Sequence, residues 1–205
     1  MTKKNHQLQQ NCEIILASSS KIREKILTEC QVKFVVILPF FDEDKAKKKL
    51  TAMPIKDKAM FLAKNKALSV SMKYPDHYVI GSDQICEIEG HELEKSKNHQ
   101  QSFVQLKKLS GKIHYQNNAV CIYKNGRLMF KKFSRVKLKM RLLSDSEIRA
   151  YISLDDSFNS AGGYKFESYG KHLFEDIAGD YYSIAGLNAI AILGYLHKKT
   201  LISFI

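Results

Sequence analysis

Apolar and polar positions along the chain switch between the period of a strand and that of a helix. Glu13 to Ala17 is a short apolar run that predicts a buried strand. Three serines follow, then a segment in which Ile22, Ile26, Leu27 and Cys30 fall on neighbouring helical turns. The chain therefore opens as strand, polar loop, helix. A second apolar run, Val32 to Leu38, ends at Pro39, and the charged stretch from Phe40 to Pro54 reads as a loop or short helix, the expected mobile element. From Asp57 to Met72 the spacing is helical, with Ala59, Leu62, Ala63, Lys66, Ala67 and Val70 on one stripe. A lysine in such a stripe ordinarily lays its stem on apolar surface and lets its ammonium reach water; the alternative is that it leans into a pocket toward an anion.

After a turn at Tyr74, Pro75 and Asp76, a strand runs from Tyr78 to about Ile88, and on period-two alternation Asp83 shares a face with Val79, Gly81 and Ile85. The strand turns at Glu89 and Gly90, and a helix follows over about Gln100 to Leu109, ended by Ser110 and Gly111. Two further strands flank Asn125-Gly126, the pair that best marks a tight hairpin. In the second of them Val136, Leu138, Met140 and Leu142 alternate with Arg135, Lys137, Lys139 and Arg141, giving an apolar face and a row of cations. That row reads as a solvated or edge-protecting face, with phosphate binding as the alternative. Ser144 with Glu147 forms a capping box for a helix through Tyr151; Ala161-Gly162-Gly163-Tyr164 permits close backbone approach; a helix from about Leu187 to His197 comes last. Strands alternating with helices around a hairpin predict an α/β fold with a mixed, twisted sheet flanked by helices. The 12 N-terminal residues are polar and patternless, so a loose tail is expected over 1–12 and a single domain over 13–205.

With 205 residues and ordinary globular composition, the chain is expected to fold as one soluble unit. Its most apolar stretch, Ile184 to Leu196, is too short and too broken by Gly186, Asn188 and Gly194 to cross a membrane. The run behind Lys3 and Lys4 is too short for an export signal, and Cys12, Cys30, Cys86 and Cys121 have neither metal spacing nor the density of a disulfide scaffold. A cytoplasmic protein with reduced thiols and no membrane association is expected. Charge changes the picture more: 33 basic against 21 acidic side chains give a net charge of +12, which draws polyanions such as nucleic acids or phosphorylated metabolites.

The usual motif signals are missing. No G-x-G-x-x-G, P-loop, G-x-S-x-G elbow or H-E-x-x-H appears, which argues against the common dinucleotide, P-loop, hydrolase and zinc classes. What stands at a strand-to-helix junction is Ser18-Ser19-Ser20-Lys21-Ile22-Arg23, where hydroxyls, backbone N–H groups and an arginine can converge on an anion, or the serines can simply cap the helix.

Leu16-Ala17-Ser18-Ser19-Ser20-Lys21-Ile22-Arg23 resembles L-A-S-x-S-P-x-R, the opening signature of the Maf family of nucleoside triphosphate pyrophosphatases, with Lys21 in place of the proline. The resemblance continues in order through Asp42-Glu43, Leu62 to Ala67, Gly81 to Gln84, Leu93 to Lys95, Leu109 to Gly111, Ala161 to Tyr164 and Gly179-Asp180. It implies two lobes with a cleft between them, as in inosine triphosphatase-like folds, and a homodimer. It implies Asp83 as the catalytic carboxylate, with Ser18, Arg23, Glu43, Lys66 and Lys95 around the triphosphate and a divalent magnesium or manganese ion held by Glu43 and Asp83. Gly81-Ser82-Asp83-Gln84 and Glu167 further resemble the branch acting on 7-methyl-GTP, where a carboxylate suits the donor edge of guanine and the positive charge of a methylated base. Gln84 and Glu167 are thus the expected specificity residues, with Ile22 where that branch has an aromatic. The expected activity is hydrolysis of the α–β phosphoanhydride of 7-methyl-GTP to monophosphate and pyrophosphate, a nucleotide-sanitising role. Alternatives are the same reaction on dTTP or UTP, a non-catalytic nucleic-acid-binding protein, and an inactive nucleotide-binding relative. Nucleic acid is the less favoured partner, because no aromatic-interleaved RNA motif appears.

Overall fold

A computed structural model of the chain describes residues 7–155, 157, 158 and 160–205. In chain order the elements are β1 (Leu8–Gln10), β2 (Ile14–Leu16), α1 (Lys21–Glu29), β3 (Val35–Val36), α2 (Glu43–Lys49), α3 (Ile55–Ser71), β4 (Tyr78–Ile88), β5 (His91–Leu93), α4 (His99–Leu109), β6 (Ile113–Lys124), β7 (Arg127–Met140), α5 (Asp145–Leu154), β8 (Phe174–Ala178), α6 (Tyr181–Ala185), α7 (Ala189–Lys198) and β9 (Ile202–Phe204). A 3-10 turn, Tyr169–Leu173, leads into β8. The main sheet has the order β3-β2-β4-β6-β7-β8, with β5 added on β4. β2 pairs in parallel with β3 and β4, each reached by a helical crossover, whereas β4, β6, β7 and β8 pair antiparallel. The sheet is therefore mixed, as the alternation of elements predicts.

The residues that make these elements are those that the periodicity picks out. Asn125 and Gly126 both have positive φ (48° and 67°), the geometry of a two-residue turn whose twist matches its strands, and they join β6 to β7. Val136, Leu138 and Met140 face inward, whereas Leu142 lies past the end of β7 and is exposed. The capping box at Ser144 and Glu147 starts α5. The cations opposite the apolar face are largely engaged: Arg135 pairs with Glu87 and stacks on Tyr115, Lys139 donates to Gly111 O, and Arg141 pairs with Glu147.

One correction concerns the N-terminus. The loose tail expected over residues 1–12 does not hold from Leu8 onward, because β1 pairs antiparallel with β9, Leu8 opposite Phe204, and Leu8 packs on the core. Three residues hold too few alternating positions to reveal a strand, and the partner lies at the other end of the chain. Residues 1–6 fall outside the described part.

The core has distinct faces. Ile14, Leu16, Ile26, Leu27, Ile80 and Ile122 pack with Ile192 and Leu196 of α7 on one side of the sheet, and Ala59, Ala63, Ala67 and Val70 of α3 pack on Ile15, Val79 and Cys121 on the other. A further cluster around Leu106, Leu109, Met140 and Ile148 joins α4 and α5 to the far end of the sheet. The contact between α3 and β4 is unusually close. A methyl group added at Gly81 would lie 2.4 Å from Ala63 O and 2.8 Å from Ala67 Cβ, so the helix rests directly on the strand two residues before Asp83.

Candidate active site

A cavity of about 480 Å³ lies between the β2–α1 junction, α2 and α3 on one side and the loop around residues 160–167 on the other. All nine residues singled out from the sequence line it: Ser18, Ile22, Arg23, Glu43, Lys66, Asp83, Gln84, Lys95 and Glu167. They come from six separate stretches of chain, and the fold brings every one of them to the same cavity.

Its centre is Lys66. The stripe of α3 is buried as predicted, and the closeness of Gly81 to Ala63 and Ala67 carries the lysine onto the strand. Its ammonium lies 2.7 Å from Asp83 Oδ1 and 2.6 Å from Glu43 Oε2, and the residue is 6% exposed. Of the two expectations for this lysine, the anion-directed one holds, because two carboxylates draw the ammonium into the cavity wall. Asp42 caps α2 by accepting from the Lys45 N–H, which sets Glu43 in the first turn facing Lys66. One turn later Lys47 Nζ reaches Glu43 Oε1 at 2.6 Å. Burial works to raise the Glu43 carboxyl, but Lys66 and Lys47 outweigh it and hold the group down to about 2. In turn Glu43 raises the Lys47 ammonium against its own burial. Asp83 Oδ2 is buried and has no hydrogen-bond partner among the described residues.

Arg23 is fixed by backbone carbonyls. Its Nε donates to Gly186 O at 2.8 Å, and its Nη1 donates to Ser82 O at 2.9 Å and to Ser18 Oγ at 3.3 Å. Burial lowers its pKa, opposed by the charges of Asp83 and Glu43, yet an arginine in that setting stays cationic. Ser18 Oγ accepts from the Ser20 N–H, and the N-cap residue Ser20 supplies no side-chain cap, so the first turn of α1 keeps backbone donors at the cavity wall. Lys21, where the signature has proline, is the first helical residue, a position that tolerates either residue. Lys95 carries a lowered pKa, from burial first and then from Arg23 and Lys47 beside it.

The other end of the cavity has a different character. Gln84 donates through Nε2 to Ile184 O at 2.6 Å and Ser183 O at 3.2 Å, which ties its amide to α6. Burial raises the Glu167 carboxyl, with the charge of Asp155 adding to that effect and those of Lys165 and Lys25 opposing it. Ile22 is half-buried and packs on the Ile26 core while one side reaches the cavity. Asn188 opens α7: its backbone N–H donates to Asn118 Oδ1 and its side chain accepts from the Ala191 N–H.

Among the lining residues that the sequence did not single out are Lys47 and Gln116. Lys47 was visible in principle as the partner of Glu43 four residues on, but only once that stretch is known to be helical. Gln116 gave no signal, because it sits in the polar run His114 to Asn118 whose partners are all supplied from elsewhere in the fold.

A family model described as Maf-like protein matches residues 13–199. A nucleoside triphosphate pyrophosphatase of Legionella pneumophila subsp. pneumophila is 35% identical over 183 residues, 89% of this chain and 92% of that one. Another, from Ruegeria pomeroyi, is 36% identical over 193 residues, 92% of this chain and 97% of that one. A solved structure of a nucleoside-triphosphatase / dITP/XTP pyrophosphatase from Mycobacterium abscessus is similar at a TM-score of 0.34 and 14% identity, covering 62% of this chain and 72% of that chain, a likeness too remote to carry weight.

Proposed function

Because this chain belongs to the Maf family and is a nucleoside triphosphate pyrophosphatase, a hydrolase acting on acid anhydrides, we propose that its substrate is 7-methyl-GTP, cleaved between the α and β phosphates to the monophosphate and pyrophosphate. The observation that carries this choice is that one cavity is lined both by the cations around Lys66 and by Glu167, a partly buried carboxylate with no ion-pair partner among the described residues. A triphosphate needs the first, and a base with a donor edge and a positive charge is served by the second. A role in clearing a modified nucleotide from the pool goes with that substrate.

Arg23, Lys47, Lys66 and Lys95 line the cavity; the first three are held in place by Glu43, Asp83 and backbone carbonyls and Lys95 has no ion-pair partner among the described residues, so the cationic lining is in position before phosphate oxygens enter. Asp83 is the proton acceptor. Lys66 holds its Oδ1, which orients the carboxylate, while Oδ2 keeps a free lone pair toward which an attacking water can give its proton. Ser18 and the first-turn N–H groups of α1 bind and orient the phosphate chain, and Arg23 holds that loop by its three bonds. A hard divalent cation fits the donor set, since magnesium commonly uses one or two carboxylates together with substrate phosphates, and Glu43 and Asp83, both gathered on Lys66, would supply such oxygens. Magnesium or manganese held there would polarise the phosphoryl oxygens and offset developing charge.

The test is pyrophosphate release by the purified protein with magnesium or manganese across 7-methyl-GTP, GTP, dTTP, UTP and CTP, with Asp83→Asn as control. We expect 7-methyl-GTP to lead and the control to lose at least about 100-fold, the usual scale for a positioned base. The second substrate reading, dTTP or UTP, is favoured by Ile22, which offers no aromatic face to a purine. A lead by either pyrimidine would sink the 7-methyl-GTP assignment.

A further inference from the structure

Gln116 stands out among the buried polar residues of β6. Its residue is 1% exposed, and its Nε2 donates to Ala161 O at 3.0 Å and to Tyr164 OH at 2.8 Å. A carbonyl can only accept, so Ala161 fixes which end of the amide is nitrogen. Oε1 is then left buried with no partner among the described residues. The neighbours of Gln116 on β6 are served better: Asn117 Nδ2 donates to Glu87, and both ends of the Asn118 amide are bonded. The loop that holds Gln116 is itself built to do so. Gly162 and Gly163 have φ of 87° and 73°, and the turn they make sets Ala161 O and the Tyr164 hydroxyl against the amide, with His114 Nε2 2.9 Å behind that hydroxyl.

Gln116, Ala161 and Tyr164 line the same cavity as Gln84 and Glu167. A buried acceptor without a donor is unfavourable in the free protein and is satisfied only by a group that arrives. Ser160 and Lys165 are donors in this part of the lining, and the side chains that remain present acceptors. Glu167 accepts, Gln116 offers an acceptor, and the Gln84 amide nitrogen is already spent on Ser183 and Ile184. Uracil and thymine show one N–H between two carbonyls, which would face these acceptors with like polarity. Guanine shows N1–H and both hydrogens of its exocyclic amine.

Resting on the assignment of the cavity to a nucleoside triphosphate, we propose that Gln116 Oε1 accepts a hydrogen bond from the exocyclic amine of a guanine-type base and so is a specificity-determining residue of this protein. Guanine and hypoxanthine differ in that amine alone, which makes GTP and ITP the discriminating pair. Gln116 then sets the preference between them without touching the phosphates.

Equilibrium binding of GTP, ITP and UTP with magnesium, measured by calorimetry on the Asp83→Asn protein so that turnover does not interfere, tests this directly. Asp83→Asn should bind GTP about tenfold tighter than ITP, the scale of one buried hydrogen bond. Adding Gln116→Met should bring that ratio near one, whereas adding Tyr164→Phe, which removes a partner of the amide but leaves Oε1, should keep it. An unchanged ratio with Gln116→Met, or an equal collapse with Tyr164→Phe, overturns the proposal. If Gln116→Met does not give a cooperative thermal transition, the parent decides: equal binding of GTP and ITP overturns it, and a tenfold preference supports it. If folded Asp83→Asn protein binds none of the nucleotides, wild-type protein is titrated with their non-hydrolysable α,β-methylene analogues, and absence of binding there refutes the assignment of the cavity itself. Binding with a ratio indifferent to Gln116 refutes this inference alone.

Discussion

Lys66 is the residue on which the site turns, since one ammonium holds two carboxylates that would otherwise repel each other in a buried place. Removing one partner of such a group leaves uncompensated charge, which costs about 3–5 kcal/mol. Lys66→Met should therefore lower the urea midpoint at neutral pH far more than a surface lysine change, and a shift below about 1 kcal/mol would show that the cluster is solvated. The same cluster gives a pH dependence. Glu43 is held down to about 2 by Lys66 and Lys47 despite its burial, so its stabilising contribution is complete above the ordinary glutamate range and is lost as pH falls toward that value. Urea unfolding of wild type and Glu43→Gln should differ most above about pH 4.5, a glutamate's usual value, and converge as the acid is titrated. Asp83 and Lys66 were legible as residues because an acid on an apolar strand face and a lysine in an apolar stripe both break their patterns. That they meet was not legible, since no periodicity relates two elements.

At the level of elements, the contact between α3 and β4 does the positioning. Gly81 and the small residues Ala63 and Ala67 let helix and strand approach until Lys66 reaches Asp83. Gly81→Ala places a methyl group against Ala63 O, a backbone atom that cannot step aside, so the helix must lift. We expect a loss of about 1–3 kcal/mol in thermal or urea unfolding. Pyrophosphate release should fall further than that loss of folded protein explains, because the ammonium moves with the helix. Normal turnover in a folded Gly81→Ala protein would show that the close packing is not what sets the site. The helices and long strands follow the apolar periodicity closely, with α3, α5, β4 and the β6–β7 hairpin where the pattern puts them. The strands that escaped notice, β1, β5, β8 and β9, have three to five residues each. Their strand state comes from the backbone bonds of a neighbour and not from an alternation that so short a segment can display.

For the whole molecule, the net charge of +12 has two destinations. On the surface, the Arg135 to Arg141 row is mostly consumed by Glu87, Glu147 and a backbone carbonyl. In the cavity, six basic and three acidic side chains leave an excess positive field where a triphosphate would enter. The KM for the preferred triphosphate should accordingly rise with ionic strength, as screening shortens the reach of that field. Duplex and single-stranded nucleic acids should show no salt-sensitive retention in a gel shift at low ionic strength, and clear retention would reopen the surface as a binding face. No helix among the described residues is long and apolar enough to cross a membrane. The sequence by itself determined the α/β class, the long elements and which side chains carry charge into apolar surroundings, because each of these depends on residues close together in the chain. Only the tertiary structure decided the pairing of Lys66 with both carboxylates, the tying of Gln84 to α6 and the bare acceptor of Gln116. Those properties depend on which donor and acceptor atoms the packed fold sets face to face, and on which ones it buries without a partner.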